Sequence, residues 1–501
     1  MRCSSSTGDR YARRNAACGC WVIAAFLRRA AANHSNPNLT SLSSLQYCSS
    51  LISRRKLLTT IPFLAAGQVR SSRSLEERLR TAFEDLEIAD THEHFFDERD
   101  RVAMHVDFFT LAADSYVMSD LVSAGMPREA ERAIRNERSS EEERWRAFEP
   151  YWQSARFTGA GQALRRAIRD LYGQEPSAST IGQINARIRE HNRPGLYRSI
   201  LRQRARIRFY VLDDSCGGCT KTRGTNADMV VLARRFDQFI LLVGPSDIRQ
   251  LESETGLSIT SLDELTSALQ KSFEDNLRQG MKAIKIALAY HRELRFEEVE
   301  KPTAEREFQS LMKRDRQAPE GFRTAFVRPY RALEDYMFHA LVRLADAHRI
   351  PIQVHTGLFA GTGNRFTNSK ASGLINVFLQ YPRVQFDIFH LSFPYQEELV
   401  VLAKAFPNVY ADFCWAFTIF PEAAKRALVE FLDTTPVNKI FLFGGDYKHP
   451  ELTYALAKIV RQSAAEILAR KVERGWSTEE EALKVGKALL SDNAAHFFGR
   501  A

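Results

Sequence analysis

From residue 206 onward, short apolar runs alternate with stretches whose apolar residues recur at helical spacing. The runs are 206–212, 236–243, 283–289, 350–355, 384–390, 409–414 and 439–446, and one more lies upstream at 86–92. Between them, Leu262, Leu265, Leu269 and Phe273 fall on one face of a helix over 261–280. Strand–helix alternation of this kind predicts parallel strands, and short, nearly continuous apolar strands predict a sheet covered on both faces. Eight such units predict an α/β fold, a (β/α)8 TIM-like barrel. Side-chain parity agrees. Lys285 shares a face with Ala283 and Ala287, whereas Ile284, Ile286 and Leu288 share the other. The small residues are expected to face the barrel interior and the branched ones the helix layer. His355 falls with Gln353, opposite Ile352 and Val354.

The first strand-to-strand interval breaks the pattern. More than 100 residues separate His94 from Ile207, where a barrel unit needs about 30–40. Helical patterns at 129–138, 140–148, 161–172 and 181–191 predict a helical insertion, about 97–205, over the C-terminal mouth. Its expected role is to cover the site and shape the substrate pocket. The alternative is a structural or oligomer-forming appendage. The irregular stretch 296–328 is expected to form a second mouth loop.

The chemistry sits where the apolar runs stop. In Asp90-Thr-His-Glu-His94 the two histidines point the same way from one strand end, which is the start of a metal site. Glu93 has the opposite parity and is not counted as a ligand. Later runs end in His355, His390 and Asp446, and Lys285 lies near the end of another. Polar groups at the C-terminal ends of several strands are what a barrel active site requires. Taken singly, each could be an ordinary core or surface residue. Arg292 and Tyr290 lie just past the Lys285 run and are candidates for binding a substrate carboxylate, Arg by a bidentate fork. Trp415 could wall a pocket, Arg365 and Asn368 could reach the substrate, and His449 reads equally as a helix-start residue.

These residues resemble the amidohydrolase superfamily, in its amidohydrolase-related (amidohydrolase 2) branch, over roughly 84–500. The resemblance rests on Asp90-Thr-His-Glu-His94, the Lys285 strand, Val354-His-Thr-Gly357, His390-Leu-Ser-Phe-Pro-Tyr395, Phe443-Gly-Gly-Asp446 and the tail 491–499. Segments 285–292 and 390–450 look most like amidohydrolase domains fused to glutamine-synthetase-like domains. The long insertion is similar to that of uronate isomerases. The resemblance implies about one divalent ion per chain, Zn or Mn, held by His92, His94, His355 and Asp446. It implies Asp446 as proton acceptor from the activated water, and His390 across the pocket either polarising the scissile group or acting as acid–base partner. Lys285 could be carbamylated, bind a substrate carboxylate, or pack. The expected activity is metal-dependent hydrolysis of a small polar, carboxylate-bearing substrate. Sugar-acid isomerisation or decarboxylation is the alternative enzyme, and a catalytically silent metal-binding scaffold the non-enzyme one.

Charge changes the picture only at the N-terminus. Residues 1–75 carry eleven Lys or Arg against Asp9 alone, which accounts for the whole net charge of +9 and leaves the body without a nucleic-acid footprint. This stretch is expected to be a disordered or cleaved leader, with the barrel domain occupying 76–501. Ser53-Arg-Arg-Lys-Leu-Leu58 and the short apolar run after it resemble a twin-arginine export signal, implying a periplasmic protein. A basic linker with a cytoplasmic location and an organellar transit peptide are the alternatives. About fifty residues precede the signal, so translation is expected to begin near residue 50. No apolar stretch is long enough for a transmembrane helix. Cys216-Gly-Gly-Cys219 has zinc or redox spacing without a second pair nearby. The partner is a small-molecule substrate, and homo-oligomerisation is left open.

Overall fold

The structure, a computed structural model, describes residues 73–213, 226–313 and 328–500. Most of the leader, including the twin-arginine-like segment, lies outside the described residues, as do Cys216 and Cys219. No helix among the described residues is long and apolar enough to cross a membrane.

Eight strands run β1 (Ile88–Glu93), β2 (Ile207–Asp213), β3 (Val230–Arg235), β4 (Met281–Ile286), β5 (Ile352–Val354), β6 (Phe386–Ile388), β7 (Val409–Asp412) and β8 (Ile440–Phe441). Each is parallel to the next, in sequence order. Past the short β8, the chain returns to β1. Thr91 donates its N–H to Phe443 O (3.1 Å), Asp446 to His92 O (2.8 Å) and His94 to Tyr447 O (2.9 Å). The fold is the expected (β/α)8 barrel. One strand was misplaced by sequence. The run 236–243 forms a 3-10 turn, Asp237–Phe239, and a loop, and the strand is Val230–Arg235 just before it. Phe236, Phe239, Ile240 and Leu242 are all buried, and periodicity does not separate a buried turn from a buried strand in so short a run.

The strand faces divide as their parity predicts. Ala89, Phe209, Val211, Val231, Ala233, Ala283 and Phe441 form one compact cluster, joined by Ala494, Ala495, Phe497 and Phe498 from the closing turns of the chain. Ile284, Ile286, Ile352 and Val354 belong instead to the larger core shared with the helices. Within that layer, the helix Leu262–Arg278 starts on a Ser261–Glu264 capping box and buries Leu262, Leu265, Leu269 and Phe273.

Between β1 and β2 the chain forms helices, among them Phe108–Ala113, Glu141–Ala155, Gly159–Tyr172 and Ile181–His191. Phe108, Phe109, Phe148 and Trp152 pack edge-to-face and tilted, within the same large core that the barrel shares with its helices. A buried ionic node ties this region to the barrel. Arg101 donates to Glu451 (2.7 Å) and to His449 Nδ1 (3.0 Å), and Tyr172 donates to Glu451 (3.1 Å). His449 does stand at the start of the helix Pro450–Glu473, and its side chain is fully buried. The expected second mouth loop is not wholly irregular: Lys301–Met312 is a helix. Residues 314–327 lie outside the described residues.

Candidate metal centre at the barrel mouth

The strand ends bring four histidines, two aspartates and a lysine to one place. His92 Nε2 lies 3.5 Å from Asp446 Oδ1 and 4.0 Å from Asp213 Oδ2. His94 Nε2 lies 3.1 and 3.9 Å from the same two oxygens. Lys285 Nζ is 3.3 Å from His92 Nε2. Asp446 Oδ2 is 3.7 Å from His390 Nε2, which in turn is 3.2 Å from His355 Nδ1.

Backbone geometry aims these groups. Asp446 has φ +60°, Trp415 +66°, and His390 to Ser392 run through +42°, +54° and +53°. Left-handed backbone at non-glycine residues costs about 1–3 kcal/mol each and is characteristic of functional sites. The Gly444-Gly445 pair lets β8 come this close. A Cβ at 445 would fall 1.9 Å from Glu93 Oε1, and one at 444 would fall 2.6 Å from Thr91 Oγ1. Glu93 is therefore not a ligand but a brace. Its carboxylate accepts from Tyr447 N–H (2.8 Å) and Thr453 O–H (2.7 Å), fixing the loop that carries Asp446.

The electrostatics favour a bound cation. Burial, reinforced by the Lys285 cation and neighbouring histidines, holds His92 well below its ordinary pKa, so its imidazole is neutral. Burial would raise Asp446, but its hydrogen bond to His94 and the nearby His390 and Lys285 outweigh it and hold the carboxyl below its usual range. Asp213 is likewise raised by burial and lowered further by His94, Arg235 and Lys285. Two ionised carboxylates thus face two imidazole nitrogens. Donors each about 2.0–2.2 Å from one ion lie at most about 4.4 Å apart, and every oxygen–nitrogen separation quoted for the His92–His94 pair meets that limit. The donor set fits a divalent ion. His92, His94 and Asp213 form one ligand-like group, and His390, Cys414 and Asp446 a second.

His355 is placed differently from the expected ligand set. Its Nε2 meets Leu358 O (3.1 Å), and His390 Nδ1 meets Cys414 O (3.1 Å). A carbonyl can only accept, so those nitrogens carry the protons. Burial keeps both rings neutral, His390 at about 4. The lone pairs of His355 Nδ1 and His390 Nε2 therefore converge on each other, and His355 belongs to neither group of three.

The remaining candidates separate. Lys285 points into the site, and burial brings it to about 8 against the pull of Asp213 and Asp446. Tyr290 lies tilted against His355 (4.8 Å between centroids), and its hydroxyl accepts from Ala360 N–H. Trp415 lies 4.9 Å from the His390 ring, with its indole N–H buried and unpartnered. Arg365 is exposed on the loop after β5. Arg292 is turned away from the site. It is fully buried and bound to Glu334 (2.9 Å), Asp335 (2.6 Å) and Arg295 O (2.8 Å). With its fork saturated by two buried carboxylates, it acts as a structural pin rather than a substrate anchor.

Three site residues were not singled out in the sequence. Asp213 ends β2 as Asp446 ends the β8 run, a signal lost because the strand was stopped at Leu212. Arg235, at the end of β3, donates to Asp213 from Nε (3.0 Å) and Nη2 (2.6 Å) and remains 29% exposed at the mouth. Tyr116, from the insertion, donates to Asp446 O (2.6 Å) and packs tilted against Trp415 (4.4 Å between centroids). No local pattern marks it.

Residues 303–500 match the family described as Amidohydrolase. Protein fluG of Emericella nidulans is 26% identical over 172 residues, 33% of this chain. The matched region spans about a fifth of that relative's length, 20%. Among solved structures, uronate isomerase of Thermotoga maritima superimposes with a TM-score of 0.70 at 18% identity, covering 85% of this chain and 97% of that one. Glucuronate isomerase of Caulobacter crescentus gives 0.68 at 18%, covering 85% and 94%. At such identities the structural likeness is one of fold. The sequence match to the Amidohydrolase family covers the second half of the barrel, residues 303–500, and the barrel as a whole shares its fold with these solved structures.

Proposed function

We propose that the barrel mouth is the active site of a metal-dependent enzyme acting on a small, carboxylate-bearing substrate, with hydrolysis as the reaction. The observation that carries this reading is Asp446: ionised, 3.1 and 3.5 Å from the His94 and His92 nitrogens, and 3.7 Å from His390. His92, His94 and Asp446 would hold a divalent ion, Zn or Mn, which acidifies water and polarises a carbonyl when bound. Asp446 accepts the proton of the attacking water and passes it to the leaving group. His390, neutral with its Nε2 lone pair towards the site, is placed to steady that transfer. Arg235 and Lys285 supply positive charge for the substrate carboxylate, and Tyr116 and Trp415 form an aromatic wall. Export through the twin-arginine-like segment belongs to the same proposal.

A second reading is isomerisation of a sugar acid. It is favoured by the likeness to uronate isomerases, which covers 85% of the chain and so reaches well beyond the matched half of the barrel. In it, Asp446 would move a proton between adjacent carbons. The two are separated by incubating the metal-loaded protein with carboxylate-bearing amides and lactones and with uronates. Heavy oxygen from solvent water entering the product carboxylate supports hydrolysis. Solvent deuterium entering a carbon, without net addition of water, supports isomerisation. Turnover of neither class, with a full complement of metal, overturns both.

A further inference from the structure

We infer that Asp213 is a metal ligand, so that the ion sits between two carboxylates, Asp213 and Asp446, as well as between two imidazoles. The inference rests on the metal-centre reading above and adds a ligand from β2. Register places it there. Leu212 pairs with Glu93 across the β1–β2 ladder, so Asp213 emerges beside the His92/His94 pair. Its side chain has no exposure, and Oδ2 lies 4.0 Å from His92 Nε2 and 3.9 Å from His94 Nε2. With those two histidines it forms a set of donor atoms within 4.8 Å of one another. Asp446 Oδ1 approaches the same two nitrogens, at 3.5 and 3.1 Å.

Arg235 does not account for Asp213 by itself. Asp213 is fully desolvated while Arg235 stays 29% exposed, and a buried carboxylate held by one part-exposed cation gains little stability over apolar packing. Arg235 approaches Asp213 through Nε and Nη2, 3.0 and 2.6 Å from Oδ2. The single Nε–H is shared with Oδ1, also at 3.0 Å, so the four lone-pair sites of the carboxylate are not all taken and the group keeps acceptor capacity towards the histidines. Arg235 thus does for Asp213 what outer hydrogen bonds do for ligating carboxylates generally: it fixes the rotamer and keeps the group ionised.

Two carboxylates make the donor set harder than a three-histidine site. Mn binds imidazole more weakly than Zn and depends more on carboxylate oxygen. Asp213 should therefore matter more for Mn than for Zn. The test is competition titration of the metal-stripped protein with Mn or Zn alone against a chromophoric chelator, with circular dichroism as a check on folding. Asp213→Asn should weaken Mn by about 100-fold and Zn by about tenfold, and change the visible spectrum of the Co-loaded protein. Asp213→Glu keeps the charge that Arg235 needs while displacing the donor oxygen, and it too should weaken Mn. Affinities within threefold of wild type for both ions in both variants, with an unchanged Co spectrum, overturn the inference. In that case loss of binding in His92→Ala shows that the metal centre itself stands. Wild-type protein that binds neither ion overturns the functional reading together with this one.

Discussion

The two halves of the barrel contribute different chemistry to one mouth. The ends of β1 to β4 carry charge around a histidine pair: Asp213, Arg235 and Lys285 beside His92 and His94. The ends of β5 to β8 carry neutral rings, His355, His390 and Trp415, with Asp446 as their charged member. In the first half, carboxylates face imidazole nitrogens, an arrangement that calls for a cation. In the second, two imidazole nitrogens face each other with their other nitrogens tied to carbonyls, which suits proton handling and shape. Asp446 belongs to both, one oxygen towards each histidine pair. The family match at 303–500 includes β5 to β8 and no strand of the first half.

The sharpest way to break this comparison is to remove a histidine from each half. His92→Ala should bring bound metal from about one ion per chain to below about a tenth, by elemental analysis, because it removes a donor from the pair that faces both carboxylates. His355→Ala should retain most of the ion. Equal losses would erase the distinction between the halves.

Asp446→Asn tests the residue shared by both. It should lower kcat by at least about 1000-fold while the thermal midpoint moves little, since it removes a charge and no core volume. Normal turnover with a full metal complement would remove Asp446 from the chemistry.

Two arginines of the first half should then part company. Arg292→Met leaves Glu334 and Asp335 buried without their partner, and should cost about 3–5 kcal/mol in denaturant unfolding with KM unchanged in the folded protein. Arg235→Met also unpairs Asp213, and should in addition raise KM for a carboxylate substrate in the folded, metal-loaded protein. A KM effect at Arg292 with no loss of stability would reverse their roles.

Lys285 gives a pH signature. Burial lowers it from 10.5 to about 8. Between those values the unfolded chain holds a proton that the native chain has released, so native stability rises with pH across that window. In metal-free protein the rise should exceed that of Lys285→Met by on the order of 3 kcal/mol between pH 8 and 10.5. Parallel profiles would mean that the lysine is not held in a desolvated site. With metal present, Lys285→Met also separates the roles left open for this residue. Lower metal content points to a carbamate, and a higher KM at full metal content to a carboxylate anchor.

The smallest expected effect is at the seam. Tyr116→Phe removes one hydrogen bond to Asp446 O and should cost about 1 kcal/mol, roughly fivefold in kcat. No change would mean that the insertion touches the site without tuning it.

The sequence by itself determined the barrel, because strand and helix periods are local and eight units repeat them. It also determined which strand ends carry histidine, lysine and Asp446, since a residue's place at the end of a run needs no knowledge of the rest of the chain. The insertion was legible from an interval too long for one unit. Tertiary structure alone decided direction and company. Arg292, three residues from Ala289, could point into the mouth or away, and only the buried Glu334 and Asp335 on a distant helix settle it. Asp213 and Arg235 became site residues through the register of β2 against β1 and β3, a relation between segments more than 100 residues apart in the first case. His355 faces His390 because two carbonyls, at Leu358 and Cys414, claim the other ring nitrogens. Which nitrogen meets which oxygen depends on packing between strands, and periodicity along one strand carries no record of it.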